Sequence, residues 1–184
     1  MATKNKVIGV IGSAINDVDE ITLNAAKEVG RLIGNNGFYI ATGTGIGAPH
    51  IAVLEAKKQG AKSIGFSPAN DKKSHNSRHD NAKISDFDEI RFIEGFTKRS
   101  IEMISHCDAI IVIGGRMGTL SEFTIAFEED KLIGVLTNIP GISKHLKEII
   151  EKCNKNRKKP IFFHEDVNLL FKDLSKYIKN NEDE

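Results

Sequence analysis

Asp108-Ala109-Ile110-Ile111-Val112-Ile113-Gly114-Gly115-Arg116-Met117-Gly118-Thr119-Leu120-Ser121-Glu122 joins an apolar, β-branched run to a glycine-rich turn and then to a helix. A run without polar alternation suits a strand buried on both faces, as in a parallel sheet covered by helices. The spacing predicts a strand over Asp108 to Ile113 and a helix from about Gly118 to Glu128.

The same unit recurs on either side. Val7-Ile8-Gly9-Val10-Ile11 is followed by Val18, Ile21, Ala25, Val29, Leu32 and Ile33 at helical spacing. Asp17 and Glu20 stand where a capping box would open that helix, and Gly34 and Gly37 follow its end. Phe38 to Ala41, Ser63 to Phe66, Glu89 to Ile93, Leu132 to Leu136 and Pro160 to Phe163 read as further strands. Helices are predicted over Ala48 to Gln59, Phe96 to His106, Ser143 to Cys153 and Val167 to Ile178. Seven strands alternating with six helices specify a three-layer α/β/α domain with a largely parallel sheet. One domain over residues 1–180 with a fraying tail at 181–184 is expected. Ser67 to Asp86 breaks the rhythm with almost no apolar content, which predicts a functional lid or a disordered insertion.

Composition narrows the function classes. The 184 residues carry 26 Lys+Arg against 25 Asp+Glu, a net charge of +1, which speaks against a strongly basic nucleic-acid module. The two cysteines, Cys107 and Cys153, have no metal or disulfide spacing, so a reducing, cytoplasmic setting is the default. The apolar run near the N-terminus is too short for a signal segment or a membrane span, so no membrane partner is expected.

In open α/β sheets ligands bind beyond the carboxyl ends of the strands, so the loops that follow strands carry the functional information. Gly12-Ser13-Ala14 offers small residues and a hydroxyl, or simply a tight turn. Thr42-Gly43-Thr44-Gly45-Ile46-Gly47 places bare N–H groups before a helix, a phosphate cradle in physical terms. It matches neither the dinucleotide fingerprint nor a P-loop, and no acid ends the following strand, so NAD is disfavoured. Gly114, Gly115, Arg116, Gly118 and Thr119 form the third such loop, ending in Glu122. Thr119-Leu120-Ser121-Glu122 also matches a capping box, which would give Glu122 a purely local role. Arg99, one of only six arginines, sits in the first turn of its helix, where an inward guanidinium could clamp a phosphate.

These motifs, in this order, resemble the LOG ("Lonely Guy") family, formerly labelled lysine decarboxylase-like, within a Rossmann-like nucleotide-binding superfamily. The resemblance covers about Val7 to Gly141 and rests on Gly12-Ser13, the Thr42 to Gly47 loop, Thr97-Lys98-Arg99-Ser100 and the Gly114 to Glu122 element. It implies a phosphoribohydrolase that cuts a nucleoside 5′-monophosphate into base and ribose 5-phosphate, commonly as a homodimer, with Arg99 and Glu122 as the functional pair. It implies no cofactor and no metal, and no lysine suits a pyridoxal Schiff base. Ser100, Ile113 and Ala48-Pro49-His50 depart from the family pattern. Those departures point towards divergent relatives that bind nucleotides or a molybdenum cofactor without hydrolysis, making a carrier or sensor the alternative function. His50 is a specificity candidate at the crevice. His75 and His79 share an i, i+4 spacing but read as loop residues, and Lys152 to Lys159 as a solvated basic helix end.

Overall fold

Strands alternate with helices through nearly the whole computed structural model, which describes residues 5–14 and 18–181. The strands are β1 (Val7–Gly12), β2 (Tyr39–Gly43), β3 (Ser63–Ser67), β4 (Glu89–Phe92), β5 (Ala109–Gly115), β6 (Leu132–Gly141) and β7 (Ile161–His164). The helices are α1 (Glu20–Asn35), α2 (Ala48–Lys58), α3 (Lys72–Asn76), α4 (Phe96–His106), α5 (Met117–Glu128), α6 (Leu146–Cys153) and α7 (Val167–Asn180). All seven strands lie parallel in one sheet of order β4-β3-β2-β1-β5-β6-β7. The chain winds outward from β1 to β4, returns to the other side of β1, and winds outward again to β7. The reversal falls between β1 and β5, and it leaves a crevice at their carboxyl ends.

Strand β5 explains why the sheet sits at the centre. Ile111 and Ile113 enter the core beneath α1, α2 and α7, whereas Ile110 and Val112 enter the core beneath α4 and α5. All four are fully buried. Burying an aliphatic side chain of this size contributes about 2 kcal/mol, so a strand with two apolar faces is stable only with helices on both.

Several local expectations change. Asp19 caps α1, its carboxylate accepting the Thr22 N–H at 2.8 Å, while Asp17 lies outside the described residues. Strand β6 continues to Gly141, past the expected end at Leu136, because it pairs with the loop end of β5 through Gly115 and Gly141. Ser67 to Asp86 is neither structureless nor an appendage. It contains a seventh helix, α3, capped by Asp71, and a 3-10 turn at Ile84–Asp86. Arg157 leaves the solvated basic cluster: its guanidinium stacks 5.1 Å from the Phe127 ring and donates to the Lys131 carbonyl.

Candidate functional site

A cleft of about 250 Å³ opens at the switch point. Its walls include Gly12, Gly43, Thr44, Gly45, Arg99, Arg116, Gly118, Thr119 and Glu122, nine of the residues expected from sequence. Ser13, Gly47, Gly114 and Gly115 do not line it but belong to the loops that form it.

Ser13 Oγ accepts the Gly115 N–H at 2.8 Å, and Thr119 Oγ1 donates to the Gly12 carbonyl at 3.0 Å. The Ala48 N–H donates to the Ser13 carbonyl at 2.8 Å, tying the second glycine loop to the first. The two hydroxyls therefore fasten loops to one another. Gly115 adopts φ +96°, and a Cβ there would stand 2.2 Å from Thr119 Oγ1, so this glycine serves the turn and the packing of the loop. Gly43 serves a close approach: a Cβ on it would lie 2.7 Å from the Arg99 guanidinium.

Arg99 and Glu122 occupy the floor. Arg99 Nη1 donates to Glu122 Oε1 at 2.7 Å, and Ser100 Oγ donates to the same oxygen at 3.2 Å. The guanidinium carbon lies 4.7 Å from the Phe96 ring centroid, a cation–π distance. Arg99 and Glu122 are 6% and 7% exposed, and Arg99 Nε has no protein partner. Burial pushes the Glu122 carboxyl above the usual glutamate range, against the opposing pull of Arg99 and Ser100. The expected capping box is absent: Arg116 is the N-cap of α5, Thr119 lies inside the helix, and Glu122 points at Arg99.

The segment over residues 68–82 forms a further wall, contributing Pro68, Arg78, Asp80 and Asn81. His75 pins it: Ser67 Oγ donates to His75 Nδ1 at 2.9 Å, and Nε2–H donates to the Ala82 carbonyl at 2.9 Å. Its far end pairs with the second glycine loop, through Ile46 N–H to the Asp80 carbonyl at 3.0 Å and Ala82 N–H to the Thr44 carbonyl at 2.7 Å. Both His75 nitrogens are thus engaged in holding the strap. From the sequence, His75 and His79 read as loop residues and no residue of this segment is expected at the site; His75 instead lies in α3 and is buried. The scarcity of arginine, which singled out Arg99, applied equally to Arg78. His50 does not line the cleft. It pairs with Asp86 at 2.9 Å and lies against Phe87. Cys107 packs beneath β1, its thiol pushed up to about 12 by burial.

Fold and site define a Rossmann-like α/β protein with a switch-point cleft between glycine loops. The chain belongs to the SLOG cluster4 family, whose model matches residues 5–171, within the superfamily to which its motifs pointed. An uncharacterized protein of Archaeoglobus fulgidus is 35% identical over 133 residues, covering 70% of this chain and 78% of its own. The molybdenum cofactor binding protein of Rippkaea orientalis superposes with a TM-score of 0.77 at 21% identity, covering 96% of this chain and 99% of that one. DNA processing protein A of Helicobacter pylori, which binds single-stranded DNA, superposes with a TM-score of 0.68 at 18% identity, covering 94% and 81%. At these identities the structural likeness is one of fold. Among the described residues, no helix is long and apolar enough to cross a membrane.

Proposed function

We propose that the cleft binds a nucleoside 5′-monophosphate and hydrolyses its N-glycosidic bond to free base and ribose 5-phosphate. The observation that carries this reading is the buried Arg99–Glu122 pair at the floor of a switch-point cleft. A buried ion pair is commonly no more stabilising than apolar residues of the same volume, so its place here speaks for function. Water adds to C1′ as the C–N bond breaks, one water proton going to the departing base and the hydroxyl remaining on the sugar. The Glu122 carboxylate faces the positive charge that develops on the ribose, and Arg99 holds that carboxylate in place. Arg116, exposed beside the first turn of α5, is the cation on the β5 side of the cleft that a phosphate would meet; Arg99 Nη1 is already engaged by Glu122. Action in the cytoplasm, as a homodimer and without nucleic acid or membrane, belongs to the same proposal.

A second reading, a carrier or sensor of a nucleotide or molybdenum cofactor without turnover, draws on the tight engagement of the Glu122 carboxylate by Arg99 and Ser100. One experiment separates the two. A panel of nucleoside 5′-monophosphates is incubated with the protein, and base and ribose 5-phosphate are measured. Turnover that falls about 100-fold or more in a folded Glu122→Gln variant supports hydrolysis. Tight binding with no product from any monophosphate leaves the carrier.

A further inference from the structure

We propose that the strap over residues 68–82 reads the base of the bound nucleotide, and that Asp80 and Arg78 select guanine. This rests on the nucleotide reading above and deepens it. Strand β1 separates β2 from β5, and neighbouring strands lie about 4.8 Å apart, which sets the loops after β2 and β5 roughly 10 Å apart across the cleft. Arg116 stands on the β5 side. The strap stands on the β2 side, where Asn81 bridges to Gly45. The Arg99–Glu122 floor lies in the same cleft as both walls. A nucleotide whose phosphate sits near Arg116 and whose glycosidic bond sits over the floor therefore directs its base at the strap.

The strap presents a donor beside an acceptor. Arg78 Nε and Nη2 reach the two Asp80 carboxylate oxygens only at 3.4 and 3.5 Å, and the side chains are 49% and 71% exposed. These two hydrogen bonds are long for charged partners and lie in solvent, so a base with better-placed groups can displace them. The strap beneath them is held: the Asp80 carbonyl accepts the Ile46 N–H, and the Asn81 side-chain Nδ2 donates to the His75 carbonyl at 3.0 Å. An ionised carboxylate only accepts, and it accepts two hydrogen bonds best from two parallel donors. Guanine offers that pair in its ring N1–H and 2-amino group, with the 6-oxo group beside them as acceptor for a guanidinium. Hypoxanthine lacks the amino group, and adenine offers a single exocyclic amine. Thr44, walling the same cleft with a buried Oγ1 that lacks a protein partner, adds a polar group on the strap side.

Equilibrium binding of GMP, IMP and AMP to the full chain and to Asp80→Asn and Arg78→Gln tests this. The wild-type protein is expected to bind GMP at least tenfold tighter than IMP or AMP. In Asp80→Asn, whose amide sets a donor against a donor, the GMP-to-AMP affinity ratio collapses towards one; Arg78→Gln lowers it severalfold. Both side chains are exposed, so thermal unfolding should be unchanged. Equal binding of GMP and AMP by wild type, or an unchanged ratio in Asp80→Asn, overturns the base-reading role while leaving the nucleotide cleft standing. Wild-type protein that binds none of the three overturns both.

Discussion

Arg99 Nη1 and Glu122 Oε1 meet at 2.7 Å, joining the first turn of α4 to the second turn of α5 across the floor of the cleft. Neither helix needs this contact for its own capping. It exists because the two helices flank β5, whose reversal point forms the cleft.

Removing one partner should therefore cost far more than an exposed ion pair would. Glu122→Ala leaves a buried guanidinium uncompensated, and an unfolding free energy lower by about 3–5 kcal/mol is expected in denaturant titration. Glu122→Gln keeps a hydrogen-bond acceptor and should cost less. The folded carboxyl binds its proton more tightly than the unfolded one, whose ordinary value is 4.5. Its contribution to stability is thus greatest below that value and declines as pH rises from it towards the folded value. Glu122→Gln should remove that part of the pH dependence.

Two glycines of the predicted cradle should answer differently to a methyl group. At Gly45 a Cβ finds only Ala14 at 3.6 Å and the Asp80 carbonyl at 3.9 Å, so Gly45→Ala should unfold within about 0.5 kcal/mol of wild type while narrowing the cleft and weakening nucleotide binding. Gly115→Ala combines φ +96° with a Cβ 2.2 Å from Thr119 Oγ1, and a loss of about 2 kcal/mol or more is expected in the same titration.

The strap should loosen when its pin is drawn. His75→Ala leaves the Ala82 carbonyl without its His75 donor in a buried setting, at about 1–3 kcal/mol, and takes from Ser67 Oγ its acceptor, leaving that oxygen only the Ala69 N–H. Limited proteolysis should then cut within residues 77–82 at protease levels that spare the wild type. A variant that resists cleavage as the wild type does would refute the anchoring role.

Asp88 supplies a pH dependence of the opposite sign. Burial alone would raise its carboxyl. The Ser63 N–H and hydroxyl, both at 2.8 Å, together with Lys57 at 3.2 Å, hold it below the ordinary 3.8. The stability it contributes is present above 3.8 and is lost as pH falls through the lower folded value. Asp88→Asn should cost about 1 kcal/mol at pH 7, a modest figure because the carboxylate is 40% exposed and screened. The difference from wild type should shrink as pH falls below 3.8.

The inner strands were legible because they are short apolar runs, and a strand buried on two faces calls for helices above and below; the edge strand β4, Glu89-Ile90-Arg91-Phe92, showed itself by alternation instead. Glu122 was legible as a residue of interest from its place after three glycines, and the family resemblance paired it with Arg99, but no local property of the sequence showed that the two side chains bond each other. The local pattern at Thr119 to Glu122 suggests a cap, and only the packing of α4 beside α5 turns the carboxylate towards Arg99. Ser67 to Asp86 was illegible for a related reason. Its order comes from one buried histidine and a few backbone hydrogen bonds to a loop distant in sequence, which leave no periodic apolar signature.

By itself the sequence determined the layers, the parallel sheet and the loops that could face a ligand, since apolar periodicity and glycine position are local properties of the chain. Only the tertiary structure decided which groups those loops keep for themselves and which they leave to a ligand. Ser13 and Thr119 are spent on fastening loops, Arg99 on Glu122, and His75 on the strap. Arg78 and Asp80, held only loosely and by each other, remain open to the cleft. The physical reason is that hydrogen-bond partners come from across the fold, and a polar side chain is available to a ligand only where the fold has not already satisfied it.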